Sequence, residues 1–147
     1  MAVYLTSQEL IDYVSLSVAV RLSNDVVGAT VVETAPINAA VDTADSIIDS
    51  YLRTRYALPL PTVPPSVKQC ALQIARKLLY ERKGAKEMPE GVADSYDDAL
   101  QLMRNYSTGI MLLDIGQPDN EQPAPTTVTT NKTSADRVFT RDYLDLY

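Results

Sequence analysis

The chain of 147 residues contains no histidine and only one cysteine, Cys70. Histidine and cysteine supply the commonest general base, nucleophile and soft-metal ligands of proteins, so their scarcity argues against most hydrolase and zinc chemistry. We therefore predict that the protein is not an enzyme and uses no metal or cofactor. A single cysteine cannot form an internal disulfide, and Cys70 lies on a predicted apolar helix face, where a buried thiol is the ordinary state.

Long apolar runs are also missing. No stretch approaches the roughly 18 to 20 consecutive apolar residues that a membrane span needs, and no basic region precedes an apolar segment at the start of the chain. We therefore expect a soluble intracellular product with no membrane association.

Charge is unevenly spread along a chain whose net charge is −6. Acidic residues prevail at 85–116, where the adjacent Asp97 and Asp98 point to different sides of a predicted helix and cannot act together on one substrate atom. Between residues 35 and 84, seven Lys and Arg outnumber four Asp and Glu. These cations are Arg53, Arg55, Lys68, Arg76, Lys77, Arg82 and Lys83.

This basic face, within residues 53–83, allows two interpretations. It is typical of a solvated or subunit-pairing surface, which we favour. The alternative is a small helical regulator that binds DNA through these cations. An acidic protein without a recognisable helix-turn-helix is a poor free-standing DNA binder.

The spacing of apolar residues predicts about four helices. A short one covers Thr6–Val14, with Thr6 or Ser7 as the N-cap. The valine-rich residues 15–34 predict an irregular connection or a short hairpin.

The three longer helices have clearer boundaries. The second begins near Thr34, whose hydroxyl can cap it, and runs to about Tyr56. The third opens after Pro64-Pro65 and stops at Gly84. The fourth starts near Glu90 and carries its apolar stripe to Tyr106, with a continuation past Gly109 through Ile110 and Leu113 as an alternative. Because each helix has one apolar stripe, we predict an all-α bundle for residues 1–116.

Residues 117–147 differ in composition and predict an extended C-terminal arm. The stretch from Gln117 is rich in Pro, Thr, Gln and Asn, which cannot build a core. The arm ends in a cluster that contains the only phenylalanine of the chain. We predict that it is a docking peptide or, alternatively, folds back on its own bundle. Its predicted contact residues are Arg137, Phe139, Arg141, Tyr143 and Leu144.

Several of these features occur together in one known family. They include the run ADSIIDSYLRTRYALPL at residues 44–60, the Val63-Pro64 step and the RVFT segment at 137–140. Together they resemble the Mu-type phage and prophage neck proteins, which are head-to-tail adaptors or connectors. The resemblance spans nearly the whole chain.

This resemblance implies a virion protein of the phage neck, present in the host cytoplasm during assembly. It implies a homo-oligomeric ring, of twelve subunits, with the portal protein above and a tail-side neck or terminator protein below. DNA would pass through the channel of the ring without specific binding. Within such a ring we expect Arg53 and Arg55 of one subunit to face Asp97 and Asp98 of the next.

Overall fold

The computed structural model describes residues 4–26, 28–84 and 88–115. Over these ranges the chain forms one compact unit without a β-strand, so the predicted all-α bundle is confirmed. The predicted arm, residues 117–147, lies outside the described residues. The described part contains five helices: α1 (Ser7–Val14), α2 (Leu16–Ser23), α3 (Thr34–Leu52), α4 (Pro65–Arg82) and α5 (Glu90–Thr108).

The three long helices α3, α4 and α5 pack on one another, and α1 and α2 pack on α3 and α4. Each of the three long helices buries one stripe of residues on a single face, as the sequence predicts. None of the described helices combines the length and apolar content needed to cross a bilayer. The largest fully buried side chains include Leu10, Leu22, Ile37, Ile48, Leu52, Ile74, Leu79 and Met103.

Helix α1 begins with a capping box at Thr6, which confirms the predicted N-cap. The Glu9 amide donates to Thr6 Oγ1 over 3.3 Å, and the Thr6 amide donates to Glu9 Oε2 over 2.9 Å. Just before the helix, the Tyr4 hydroxyl donates to Asp49 Oδ1 of α3 over 2.5 Å. Burial and this hydrogen bond raise the pKa of Tyr4. The beginning of α1 is therefore tied to the end of α3.

The valine-rich segment forms a helix, α2, where the sequence predicts an irregular connection or a short hairpin. Ala19, Leu22 and Ser23 of α2 are buried. Branched side chains lower helix propensity by only a few tenths of a kcal/mol each, so packing against α3 and α4 outweighs them. The irregular part is shorter than predicted, and its described residues are 24–26 and 28–33.

Helix α3 begins at Thr34 as predicted, and it differs from the prediction in its cap and in its C-terminal end. Thr34 is its first residue, the N-cap is Glu33, and no side chain caps the helix, so the predicted capping role of Thr34 is wrong. The helix ends at Leu52 and not near Tyr56. A turn follows in which the Tyr56 amide donates to the Leu52 carbonyl over 2.8 Å.

The prolines start α4 as predicted. Pro64 is its N-cap and Pro65 its first residue, where the missing amide hydrogen costs no intrahelical bond. Just past its end, Gly84 has φ +82°.

Helix α5 ends at Thr108. Its C-cap is Gly109, in the left-handed conformation with φ +79°, so the chain leaves the helix there. The alternative continuation through Ile110 is wrong.

Candidate functional site

The bundle has two ends that differ in how they use charge. Helices α4 and α5 run antiparallel, since Arg76 Nη2 donates to Ser95 Oγ over 2.7 Å and the Tyr106 hydroxyl donates to Ser66 Oγ over 3.0 Å. The end of α4 and the beginning of α5 therefore lie at one end of the bundle. The beginning of α4 and the end of α5 lie at the other.

At the first end, the last residue of α4, Arg82, and its C-cap, Lys83, hold the end of α2. We call Leu22, Asn24, Asp25, Arg82 and Lys83 the closed end. Arg82 donates to the Leu22 carbonyl over 3.0 Å and to Asp25 over 2.5 Å. Lys83 Nζ lies 2.6 Å from both the Asn24 carbonyl and Asp25 Oδ1. The hydrogen bonds from Lys83 and Arg82 lower the pKa of Asp25. These charges supply partners for carbonyls at the end of a helix.

Three further cations of the predicted basic face are also engaged inside the bundle. Lys68 pairs with Glu9 of α1. Arg76 lies over the Tyr13 ring at 5.3 Å from its centroid. Lys77 pairs with Glu81 over 2.9 Å and lies over the Tyr96 ring. With Arg82 and Lys83, five of the seven cations thus have partners within the protein, which leaves few for phosphate groups of DNA.

The ion pair of Lys68 and Glu9 also changes the pKa of the Glu9 carboxyl group. The hydrogen bond from Lys68, followed by that from the Thr6 amide, lowers the pKa of Glu9 to about 2. Hydrogen bonds to a carboxylate favour its charged form. Glu9 therefore stays ionised well below the usual range of a glutamate.

At the opposite end, Arg55 lies against the end of α5. We call Arg53, Arg55, Gly109 and residues 110–112 the open end. A Cβ at position 109 would collide with the guanidinium of Arg55, so this cation lies beside the last turn of α5. A helix C-terminus carries partial negative charge, which attracts a cation. Arg55 was predicted to contact a neighbouring subunit, but its guanidinium already lies against α5 of its own chain.

Arg53 lies in the turn after α3, where its side chain is exposed and makes no hydrogen bond or ion pair with the described residues. Asp97 and Asp98 are exposed on α5 and make no ion pair within the described ranges. Asp98 precedes Gly109 by eleven residues, or about 16 Å along the helix. The four predicted contact residues therefore do not meet within one molecule, and their pairing between molecules stays a prediction.

The open end also carries an apolar turn that was not predicted from the sequence. The Met111 amide donates to the Asn105 carbonyl over 3.1 Å, and the Leu113 amide donates to the Tyr56 hydroxyl over 3.1 Å. The Leu113 and Ile115 side chains are buried. Between these anchors Ile110, Met111 and Leu112 are 76%, 42% and 64% exposed. The sequence does contain a signal for the helix end, because Gly109 is a residue typical of a helix C-terminus. The three apolar residues that follow it form the exposed turn.

The described residues offer little for catalysis. Cys70 is 1% exposed, and burial raises the pKa of its thiol to about 11. No group of three or more acids and cysteines within the described ranges is placed to hold a metal ion.

The predicted docking residues of the arm, Arg137, Phe139, Arg141, Tyr143 and Leu144, lie outside the described residues. Their contacts stay predictions.

Comparison with known proteins identifies the family. The family described as bacteriophage Mu, Gp36 matches residues 4–132 of the chain. The chain belongs to this Mu Gp36 family. The Mu-like prophage FluMu protein gp36 of Haemophilus influenzae is 27% identical to it over 119 residues, which cover 81% of each chain. The predicted resemblance to a Mu-type phage protein family is thereby confirmed.

The match to the Mu Gp36 family includes all five helices and the closed and open ends. It stops at residue 132, before the predicted docking residues that begin at Arg137. The family match therefore covers the bundle and continues beyond it to residue 132.

Proposed function

We propose that this protein is a head-to-tail adaptor of a tailed phage. Copies of it would form a ring of twelve in the neck of the virion, below the portal and above a tail-side neck or terminator protein, with DNA passing through the channel. The observation that carries the proposal is the match to the Mu Gp36 family over residues 4–132. The role is structural and not catalytic, and the protein would be in the host cytoplasm until assembly.

The surface of the bundle supports this role. A ring subunit needs two different contact surfaces, because each copy uses one surface towards one neighbour and the other towards the next. Arg53 is at one end of the bundle, and Asp97 and Asp98 are on a different part of its surface. Opposite charges on separate surfaces favour head-to-tail contacts between copies.

Charge reversal tests the ring contact. We expect Arg53→Glu to lower the yield of rings in electron micrographs of the protein mixed with the portal of the same phage. Arg104→Glu, the same change at an exposed arginine of α5, is the matched control and should leave rings intact. Arg55 is unsuitable alone, since a glutamate beside the C-terminus of α5 would also destabilise the helix.

Rescue makes the test specific for the predicted pairing. A mixture of Arg53→Glu subunits with subunits carrying Asp97→Lys and Asp98→Lys restores attraction at the contacts that join the two kinds. Unchanged ring yield with Arg53→Glu would contradict the predicted contact. Absence of any ring or portal complex with the wild-type protein would contradict the adaptor role.

Deletion tests the arm separately. Removing residues 134–147 should leave the bundle folded, with an unchanged far-UV circular dichroism spectrum, and abolish attachment to portals. Such an arm adds a linked binding event to each subunit contact, which strengthens a complex repeated around a ring. Attachment by the shortened protein would show that the arm does not dock on the portal.

A gel shift separates the adaptor from the DNA-binding regulator. We expect no retardation of short duplexes at physiological salt, since most cations of the basic face have partners in the bundle and the net charge is −6. Binding that falls steeply with added salt would favour the regulator.

A further inference from the structure

The apolar turn at the open end is a rigid projection. We call Ile110, Met111 and Leu112 the knob. Hydrogen bonds from Met111 to Asn105 and from Leu113 to Tyr56 fix both sides of it, while its side chains remain in water. Scattered apolar residues on a surface are ordinary, but three consecutive ones held in place indicate a contact site.

A depression with an apolar lining lies at the other end of the bundle. We call it the socket. It has a volume of about 370 Å³ and lies between α1, α4 and the beginning of α5. Its apolar lining includes Tyr13 and Val14 of α1, Tyr80 of α4, and Pro89 and Val92 at α5. Tyr13 is 37% exposed, and Leu16, three residues further on, is 64% exposed.

Knob and socket lie at opposite ends of one helix. The socket includes the first turn of α5 and the knob follows its last residue, so the 19 residues of α5 separate them. At 1.5 Å per residue this is about 28 Å. A rigid helix of that length prevents a molecule from filling its own socket.

The surroundings of the two surfaces carry opposite charge. At the knob, the cations Arg53 and Arg55 outnumber one acid, the exposed Asp114 that follows Leu112 by two residues. At the socket, the exposed acids Glu90 and Asp12 outnumber one cation, Arg76 of the lining. The charged neighbours of a docked knob would therefore attract those of the socket.

We infer that the occupant of the socket is the knob of a second copy of this chain. The contact joins two different surfaces, so repeating it with a fixed rotation closes a ring or extends a filament. This inference rests on the proposed ring and names the surfaces that build it. In this contact Arg53 faces the acids beside the socket and not Asp97 and Asp98, which lie further along α5. The rescue experiment with Asp97→Lys and Asp98→Lys therefore separates the two contacts.

Cross-linking between two single-cysteine proteins tests the contact. In a Cys70→Ala background, one protein carries Leu112→Cys and the other Tyr13→Cys, and both are treated with a short bismaleimide, with and without the portal. We expect a covalent dimer only in the mixture, and a ladder of oligomers from the double variant. Asp42→Cys, at an exposed position of α3, replaces Tyr13→Cys in the matched control and should give no dimer.

A second measurement uses ring yield. Leu112→Glu should lower it by about tenfold or more, as expected for loss of a central apolar contact. Val26→Glu changes an equally exposed apolar side chain outside the knob and should have no effect. Circular dichroism of both variants shows that they are folded.

The outcomes separate the inference from the proposed function. Rings that persist with Leu112→Glu and show no mixed cross-link would overturn the knob and socket and leave the adaptor role intact. Dimers from Leu112→Cys alone would mean that the knob pairs with itself, which also overturns the inference. Mixed dimers in a protein that never binds portals would support the contact and contradict the adaptor role.

Discussion

The two ends of the bundle use basic residues in opposite ways. At the closed end Arg82 and Lys83 bind carbonyls and Asp25, so both side chains already have partners that hold α2 in place. At the open end Arg53 is exposed and makes no ion pair with the described residues. Basic residues from the same segment, 35–84, therefore have different roles at the two ends of the bundle. The presence of an acceptor within reach decides whether a cation stabilises the fold or remains available to a partner.

The largest effect should come from Gly109 at the open end. Gly109→Ala places a side chain at φ +79° and displaces the guanidinium of Arg55, the flexible end of that side chain, from the last turn of α5. We expect a loss of about 2 kcal/mol in the free energy of unfolding, from the backbone conformation and from the lost charge at the helix C-terminus. Urea unfolding followed by circular dichroism measures it.

Gly84 is the matched control for this prediction. It has φ +82° with open space where a Cβ would lie, so Gly84→Ala should cost only about 1 kcal/mol. Measured against the Arg55→Ala protein, adding Gly109→Ala should cost about that same value. Equal losses at the two glycines would show that Arg55 does not restrict position 109.

The next largest effect on stability is expected at the closed end. Arg82→Ala should lower the free energy of unfolding by about 1 to 2 kcal/mol, because it leaves the Leu22 carbonyl without its charged donor. Arg53→Ala at the open end should change it by less than about 0.5 kcal/mol. Similar losses in urea unfolding of both variants would remove the distinction between the two ends.

A smaller, opposite effect is expected at Ser15, which joins α1 to α2. Ser15 has φ 73° and ψ 148°, a region that residues with a side chain rarely adopt. Ser15→Gly should therefore raise the free energy of unfolding by about 1 kcal/mol, which thermal and urea unfolding can measure. Ser17→Gly, inside α2, is the control and should destabilise. Destabilisation by Ser15→Gly would show that the junction is not strained.

The smallest effect concerns the pH dependence of the pair of Glu9 and Lys68. The pKa of Glu9 falls from 4.5 to about 2 on folding, so its charge contributes stability above pH 4.5 that disappears as the pH falls towards 2. Both side chains are partly exposed, which limits the ion pair to below about 1 kcal/mol. Urea unfolding of wild type and Glu9→Gln should differ at pH 6 and converge near pH 2. A constant difference would contradict the assigned pKa.

The helix faces and most helix ends could be predicted from the sequence. Apolar residues at three-and-four spacing mark the buried stripes of α3, α4 and α5, and Thr6, Pro65 and Gly84 mark boundaries by local backbone chemistry alone. The helix α2 could not be predicted, because its valines weaken the local preference and burial of Ala19 and Leu22 overrides it. The exposed knob was missed for a related reason, since three apolar residues after α5 resemble a continued core stripe.

By itself, the sequence determined the all-α class, the buried stripes and the resemblance to a Mu-type phage protein family, because these depend on spacing and local motifs. Only the tertiary structure decided which charges are available. The sequence alone does not distinguish the roles of Arg53, Arg55, Arg82 and Lys83. Their roles differ because the packing of α2, α4 and α5 brings different hydrogen-bond acceptors near each of them. It also decided that the knob and the socket lie at opposite ends of α5, since the antiparallel packing of α4 and α5 sets the two ends apart.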